Sequence, residues 1–308
     1  MRRLCLLLIL CSTLLGCSDP SDNLRIGSNR WLGYGPLYIA DDLRWLEPSG
    51  FRLLEYPSAS GVLRAFRNGM LDAAMLTLDE TLRLLADGHD LEILLITNVS
   101  AGADVVYAMP PLRDPSDLAG ARIGVETSAL GAFFLAQILD RGGLTREQVS
   151  IVNLPVQEHR NAMREGTIDA VVTFSSEGPA LLEMGARQIA DSRDVPAEII
   201  DVLVVDRQRV APPARRRLQA LWHESLARWR HSPDYIDTVL MRRLGLDADA
   251  LRLTREGLLM GDLALNVQYA NGSLLASLQR THDYQLARAM LPAPLDYRRL
   301  LTCEARAC

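Results

Sequence analysis

Along its first two thirds the chain alternates short runs of strand formers with loop-and-helix segments about every 25 residues, and this alternation restricts the fold more than any other feature. Strand-forming runs start at Leu24, Phe51, Leu71 and Leu91, with helical patterns between them. Units of this kind predict a largely parallel, twisted sheet with helices on its faces. In such sheets ligands bind at the loops that follow the carboxyl ends of the strands. That rule directs attention to Asn29, Trp31 and Tyr34 in the first such loop, to Ser58 in the second, and to Asp79 after Thr77-Leu78. Trp31 and Tyr34 are equally suited to stacking on a ligand or to packing at a domain edge.

A second set of the same units follows a break. Ser100-Ala101-Gly102-Ala103-Asp104 leads into the run Val105 to Met109, and Pro110-Pro111 ends it where a chain can leave one domain for another. The stretch 121–139 reads as a buried strand, a polar loop holding Glu126, Thr127, Ser128 and Gly131, and an apolar helix. Hydroxyls and free N–H groups at a helix start, beside a glycine, suit a small polar pocket. Capping of the helix is the alternative role for Thr127 and Ser128. Phe174-Ser175-Ser176-Glu177-Gly178-Pro179 closes the set. The pieces Gly69-x-x-Asp72-Ala73-Ala74 and Gly166-x-x-Asp169-Ala170-Val171 match in type and read as equivalent turns in two similar halves.

The run Ile199 to Val205 returns towards the first half, so the expected division is 24–108 with 206–308 as one lobe and 109–205 as the other. From Pro212 the pattern is helical. Leu218, Leu221, Trp222, Leu226 and Trp229 form a stripe at helix spacing, and Arg215 to Arg217 sit at the unfavourable end of the dipole. The segment Asn266 to Gly272 either reaches the cleft or turns the chain.

The first residues form an export signal: Met1-Arg2-Arg3, an apolar run, then Leu14-Leu15-Gly16-Cys17. That tetrapeptide resembles the bacterial lipoprotein cleavage box, which implies removal of 1–16, lipidation of Cys17 and a polar tether over 17–23. Cys303 and Cys308 then remain and suggest a small disulfide loop at the tail. The formal charge of −5 argues against a nucleic-acid partner. No lysine is present, so Schiff-base chemistry and a Walker-type phosphate lysine are excluded. No metal-binding histidine spacing, nucleophile elbow or dinucleotide fingerprint occurs, and no enzyme, metal or cofactor is expected.

Taken together, Trp31-x-Gly33-Tyr34-x-Pro36, Gly69-x-x-Asp72-Ala73-Ala74 with Leu78-Asp79-Glu80, Ser100-x-Gly102-Ala103-Asp104, Asp117-Leu118-x-Gly120-x-Arg122-Ile123-Gly124-Val125-Glu126 and Gly166-x-Ile168-Asp169-Ala170 resemble the substrate-binding lipoproteins of nitrate/sulfonate/taurine-type ABC importers. That group includes the binders of thiamine-precursor pyrimidines. The resemblance implies a two-lobed type II periplasmic-binding-protein fold, each lobe a mainly parallel sheet flanked by helices, with the ligand in the cleft between them. It implies a monomer held at a bacterial membrane, inner or outer, by its lipid alone, whose partners are a small molecule and an ABC permease and ATPase. A membrane sensor is the alternative partner. Asp79, Glu80, Asp104, Glu126 and Glu177 sit in the candidate loops with Ser100 and Phe174, an acidic set that favours an amine or aminopyrimidine-like ligand over the family's oxyanions. Helix capping for Asp79, dipole compensation for Glu126 and a structural role for Asp104 are the competing readings.

Overall fold

A computed structural model describes residues 23–195 and 198–301. Cys17, the expected export signal, Cys303 and Cys308 lie outside these residues. In chain order the first elements are β1 (Leu24–Asn29), α1 (Gly35–Asp42), β2 (Phe51–Tyr56), α2 (Ala59–Arg67), β3 (Ala73–Thr77), α3 (Leu78–Ala86) and β4 (Leu91–Ser100). The next are β5 (Asp104–Ala108), β6 (Arg122–Val125), α4 (Leu130–Arg141), β7 (Ser150–Asn153), α5 (His159–Arg164), β8 (Ala170–Phe174), α6 (Gly178–Glu183) and β9 (Arg187–Asp191). The chain ends with β10 (Ile200–Asp206), α7 (Pro212–His231), α8 (Pro233–Leu244), α9 (Ala248–Glu256), β11 (Leu258–Met260), α10 (Leu263–Gln268) and α11 (Leu274–Ala287).

Two sheets result, one per lobe. The first runs β11-β4-β10-β3-β1-β2 and the second β7-β6-β8-β5-β9. The β-loop-α units supply the parallel pairs: β1 with β2 and β3, and β6 with β7 and β8. Both sheets are nevertheless mixed, because β10 lies antiparallel between β3 and β4, and β5 antiparallel between β8 and β9. The crossings therefore fall earlier than the expected 109 and 205. The strand Asp104–Ala108 already belongs to the second sheet, and Ile200–Asp206 to the first. A strand boundary carries no signal for which sheet will accept it, whereas Pro110-Pro111 only ends β5.

The two halves repeat one device. Arg25 at the start of β1 and Asp72 form a pair 47 residues apart, and Arg122 at the start of β6 and Asp169 form another at the same separation. In each, the aspartate also accepts the arginine's own backbone N–H, which ties the Gly-x-x-Asp turn to the neighbouring strand.

The first sheet is covered on both faces. Ile26, Leu37, Tyr38, Phe51, Leu218, Trp222 and Trp229 are buried on one side, and Val62, Phe66, Leu82, Ile93 and Leu278 on the other. The predicted stripe of α7 is core from Leu218 to Trp229, and Trp222 donates its indole N–H to the Gly261 carbonyl at 2.8 Å. The arginines at the start of α7 are offset by acceptors: Arg215 pairs with the buried Glu92 at 2.6 Å, and Arg217 donates to the Ser49 carbonyl. The segment around Asn266 turns the chain. Its side chain accepts from Ile96 N and donates to Ile96 O on β4, and Gly272 takes a positive φ of 105° that favours glycine.

Candidate functional site: an acidic interlobe cleft

The cleft lies where loops from the carboxyl ends of β1, β2, β6 and β8 meet. Asn29, Arg30, Trp31, Ser58 and Ala59 line it from the first lobe, and Glu126, Leu130, Gln157, Phe174 and Glu177 from the second. Trp31 and Phe174 meet across it with ring centroids 4.7 Å apart. Beneath them a deeper recess is lined by Asn29, Tyr34, Thr77, Glu80, Asp104 and Asp201. Leu244, Leu246 and Thr254 of the C-terminal helices also reach the cleft.

Carboxyl groups dominate the recess. Glu80, Asp104 and Asp201 are almost wholly buried. Burial pushes the Glu80 carboxyl up to about 8, with the Asp79 charge adding to it. Burial likewise lifts Asp104 and Asp201 to about 7 against the hydrogen bonds that Ser100 and Tyr34 give them. Tyr34 donates to Asp201 Oδ1 at 2.5 Å, whereas Asp104 Oδ2 is buried with no hydrogen-bond partner among the described residues. A buried acceptor left open beside a cavity is costly unless something arrives to donate to it. Cationic groups are scarce in comparison. Among the described residues Arg30 is the only arginine lining the cleft. His159 also lines it but is neutral, its pKa lowered by burial to about 4. Glu177 is held by Arg160 through two hydrogen bonds, one of them 3.1 Å.

Five hydrogen bonds bridge the lobes at this place. Ser60 at the start of α2 donates its backbone N–H to Glu126 Oε1 at 3.1 Å and its hydroxyl to the same oxygen. The Ser60 hydroxyl also pairs with that of Ser128 at 2.5 Å. Gln157 donates to the Pro57 carbonyl at 2.6 Å, and Leu130 N donates to Glu80 Oε1 at 3.1 Å. Gly131 is obligatory beside this last contact: a Cβ there would stand 2.7 Å from Val125 Cγ2 and 2.8 Å from Glu126 O.

Of the residues singled out from sequence, Asn29, Trp31, Tyr34, Ser58, Asp104, Glu126, Phe174 and Glu177 line the cleft or its recess. Four lie outside the lining. Asp79 is buried behind it, with Thr77 Oγ1 donating to it at 2.6 Å, while the capping box of α3 is formed by Thr77 and Glu80. Ser100 pairs with Ser192 at 2.8 Å and receives Asp104 N, tying together the two crossings between sheets. Thr127 donates to Asn153 at the end of β7. Ser128 reaches only the Ser60 hydroxyl at the rim. Sequence reasoning counted Glu80 among the acids of the candidate loops without giving it a place in the site, and missed Asp201. Glu80 reads as a capping-box residue, which it also is, with Thr77 N donating to it at 3.0 Å. Asp201 sits in an apolar strand, where a lone acid was the available signal.

Among the described residues no group of three or more His, Cys, Asp or Glu side chains is arranged to hold a metal ion, and no helix is long and apolar enough to cross a membrane. Residues 18–232 match the sequence model described as the NMT1-like family. A comparison with curated proteins gives no match. The fold is similar to that of the alkanesulfonate-binding protein SsuA from Xanthomonas axonopodis pv. citri bound to MOPS, with a TM-score of 0.77, 20% identity, and 91% of this chain and 98% of that one covered. The aliphatic sulphonate binding protein SsuA from Escherichia coli gives 0.74 at 20% identity, over 91% and 92% of the two chains. The desulfurization enzyme DszB in complex with biphenyl-2-sulfinic acid shares the fold at a TM-score of 0.65 and 19% identity, over 93% and 98%.

Proposed function

From the chain's membership of the NMT1-like family, which the match over residues 18–232 establishes, we propose that it is an extracytoplasmic solute-binding lipoprotein that closes on a small polar molecule and passes it to an ABC importer. The solute carries N–H donors or positive charge, as an amine or aminopyrimidine does. One observation carries that choice: Glu80, Asp104 and Asp201 gather in the recess and Glu126 stands above them, against a single lining arginine. A hydrogen bond from a ligand N–H to a charged carboxylate is worth about 1.5–3 kcal/mol, and a cationic ligand draws these raised-pKa acids into the ionised form that accepts it. Trp31 and Phe174 would face a flat ring on either side as the lobes part to admit it.

Calorimetry with the purified protein tests the reading. A 4-aminopyrimidine is expected to bind, and methanesulfonate and nitrate are not. Tight methanesulfonate binding without aminopyrimidine binding would move the chain to the oxyanion reading, which the MOPS-bound fold neighbour and the lining Arg30 favour.

The lipid anchor is tested separately. Cells given a labelled fatty acid are expected to label this protein, and Cys17→Ser to abolish the label. An unlabelled wild-type protein would remove the anchor from the proposal.

A further inference from the structure

Two of the helices that start at the cleft do not keep their N-termini for a ligand. The α2 start at Ser60 holds the Glu126 carboxylate of the opposite lobe through a backbone N–H at 3.1 Å and a hydroxyl. The α4 start at Leu130 holds the Glu80 carboxylate, again from the opposite lobe, at 3.1 Å. The arrangement is reciprocal: each lobe sends one glutamate into the other's helix start. For α4 it replaces a cap, because the residue at its N-cap is Ala129, which has no side-chain oxygen to offer. Free N–H groups at a helix start, with the dipole behind them, are what a protein uses to hold a sulfonate, sulfate or phosphate. Here both positions already hold a carboxylate.

We propose that Glu126 is a specificity-determining residue: its carboxylate acts as a resident anion at the α2 start and shuts sulfonate-class oxyanions out of the cleft. This rests on the N–H-donor reading of the cleft but makes a separate claim, about exclusion. Glu126 is the residue to change, since it is only partly buried and lies in a loop, whereas Glu80 is buried in a capping box and its loss endangers folding. Removing the carboxylate frees the Ser60 N–H and hydroxyl, and Arg30, which is exposed, lines the same cleft as Glu126.

The experiment measures methanesulfonate and 4-aminopyrimidine binding by calorimetry for wild type, Glu126→Ala and Glu126→Gln, each first shown to melt cooperatively. Methanesulfonate carries no amine, so a gain reports the anion site alone. Glu126→Ala is expected to bind methanesulfonate at least tenfold more tightly than wild type. Glu126→Gln, which keeps an acceptor over Ser60 but loses the charge, is expected to gain less. No gain in Glu126→Ala overturns the proposal, as does a wild type that binds methanesulfonate as well as the variant. The aminopyrimidine arm is read in wild type. If it fails while Glu126→Ala gains methanesulfonate, the ligand reading falls and the exclusion stands; the converse result removes the exclusion and leaves the ligand reading intact.

Discussion

Asp104 shows how one buried side chain ties the chemistry of the cleft to stability. Its pKa is raised by burial to about 7, so the folded protein holds a proton that the unfolded chain releases near the ordinary carboxyl value. Stability is then greatest at low pH and is lost as pH rises through the folded value; Glu80, raised to about 8, and Asp201, raised to about 7, act in the same sense. His159 opposes them, because its depressed pKa of about 4 costs stability as pH falls from about 6.5 towards 4. Between pH 6.5 and 8.5 the folded histidine stays neutral and the unfolded one gives up only its last half proton, so the carboxyls dominate this window. The ligand-free melting temperature is expected to fall across it. Asp104→Asn is expected to remove about 1 kcal/mol of that fall, and an equal slope in wild type and variant, followed by calorimetric melting, would disprove the assignment. A cationic ligand reaching Asp104 stabilises the ionised carboxylate and so expels a proton at pH 7. The observed binding enthalpy should therefore change with the ionisation enthalpy of the buffer at pH 7 and lose that dependence at pH 9. A buffer-independent enthalpy at pH 7 would show that the ligand does not engage these acids.

At the scale of elements, close backbone approach decides several turns. At Gly261, just after β11, a Cβ would stand 1.8 Å from the Ile96 carbonyl oxygen, and the glycine's own carbonyl accepts from Trp222 at 2.8 Å. Gly261→Ala must therefore push β11 off β4 and disturb the largest buried aromatic. A loss of at least 2 to 3 kcal/mol, roughly the scale of an overpacked core, is expected in urea unfolding, and a variant as stable as wild type would refute it. The same physics separates what was legible in the sequence from what was not. The β-loop-α units at Leu24, Phe51, Arg122 and Ser150 were readable because a strand run followed by a polar loop and a periodic helix is a local pattern. The α7 stripe was readable for the same reason. The three-residue β11 and the polar β9 carry too little periodicity to be seen, and the sheet that accepts β5 or β10 is chosen by partners far away in sequence. In the site, loop residues such as Trp31 and Glu126 were found because they follow strands. Asp201 and the interlobe role of Glu80 depend on which groups the folded chain buries opposite one another, and neither spacing nor residue type reports that.

For the whole molecule the question is how far closure depends on the ligand. The described lobes are joined by the Glu126, Glu80 and Gln157 bridges at the cleft and by a second set remote from it. There Asp140 on α4 accepts from the Tyr284 hydroxyl on α11 at 2.6 Å and pairs with Arg288 at 2.6 Å, while Phe133 meets Tyr284 edge to face at 5.5 Å. Each of these contacts joins one lobe to the other, so any that opening breaks favours closure before a solute arrives, and the ligand adds its own contacts to a population already biased. Apparent affinity is the intrinsic affinity scaled by the fraction of protein that is competent to bind, so a tie far from the cleft should still alter binding. The Asp140 pair is partly exposed and is worth about 1 kcal/mol after screening, with the phenol hydrogen bond adding a similar amount. Asp140→Ala is therefore expected to enlarge the radius of gyration of the ligand-free protein in small-angle scattering. It should weaken the binding of whichever solute calorimetry identifies by up to about tenfold, and saturating solute should restore the compact radius. If the variant's ligand-free radius equals that of wild type, the Asp140 contacts do not hold the lobes together, and the bridges between Glu126 and Ser60 and between Glu80 and Leu130 are left to carry closure.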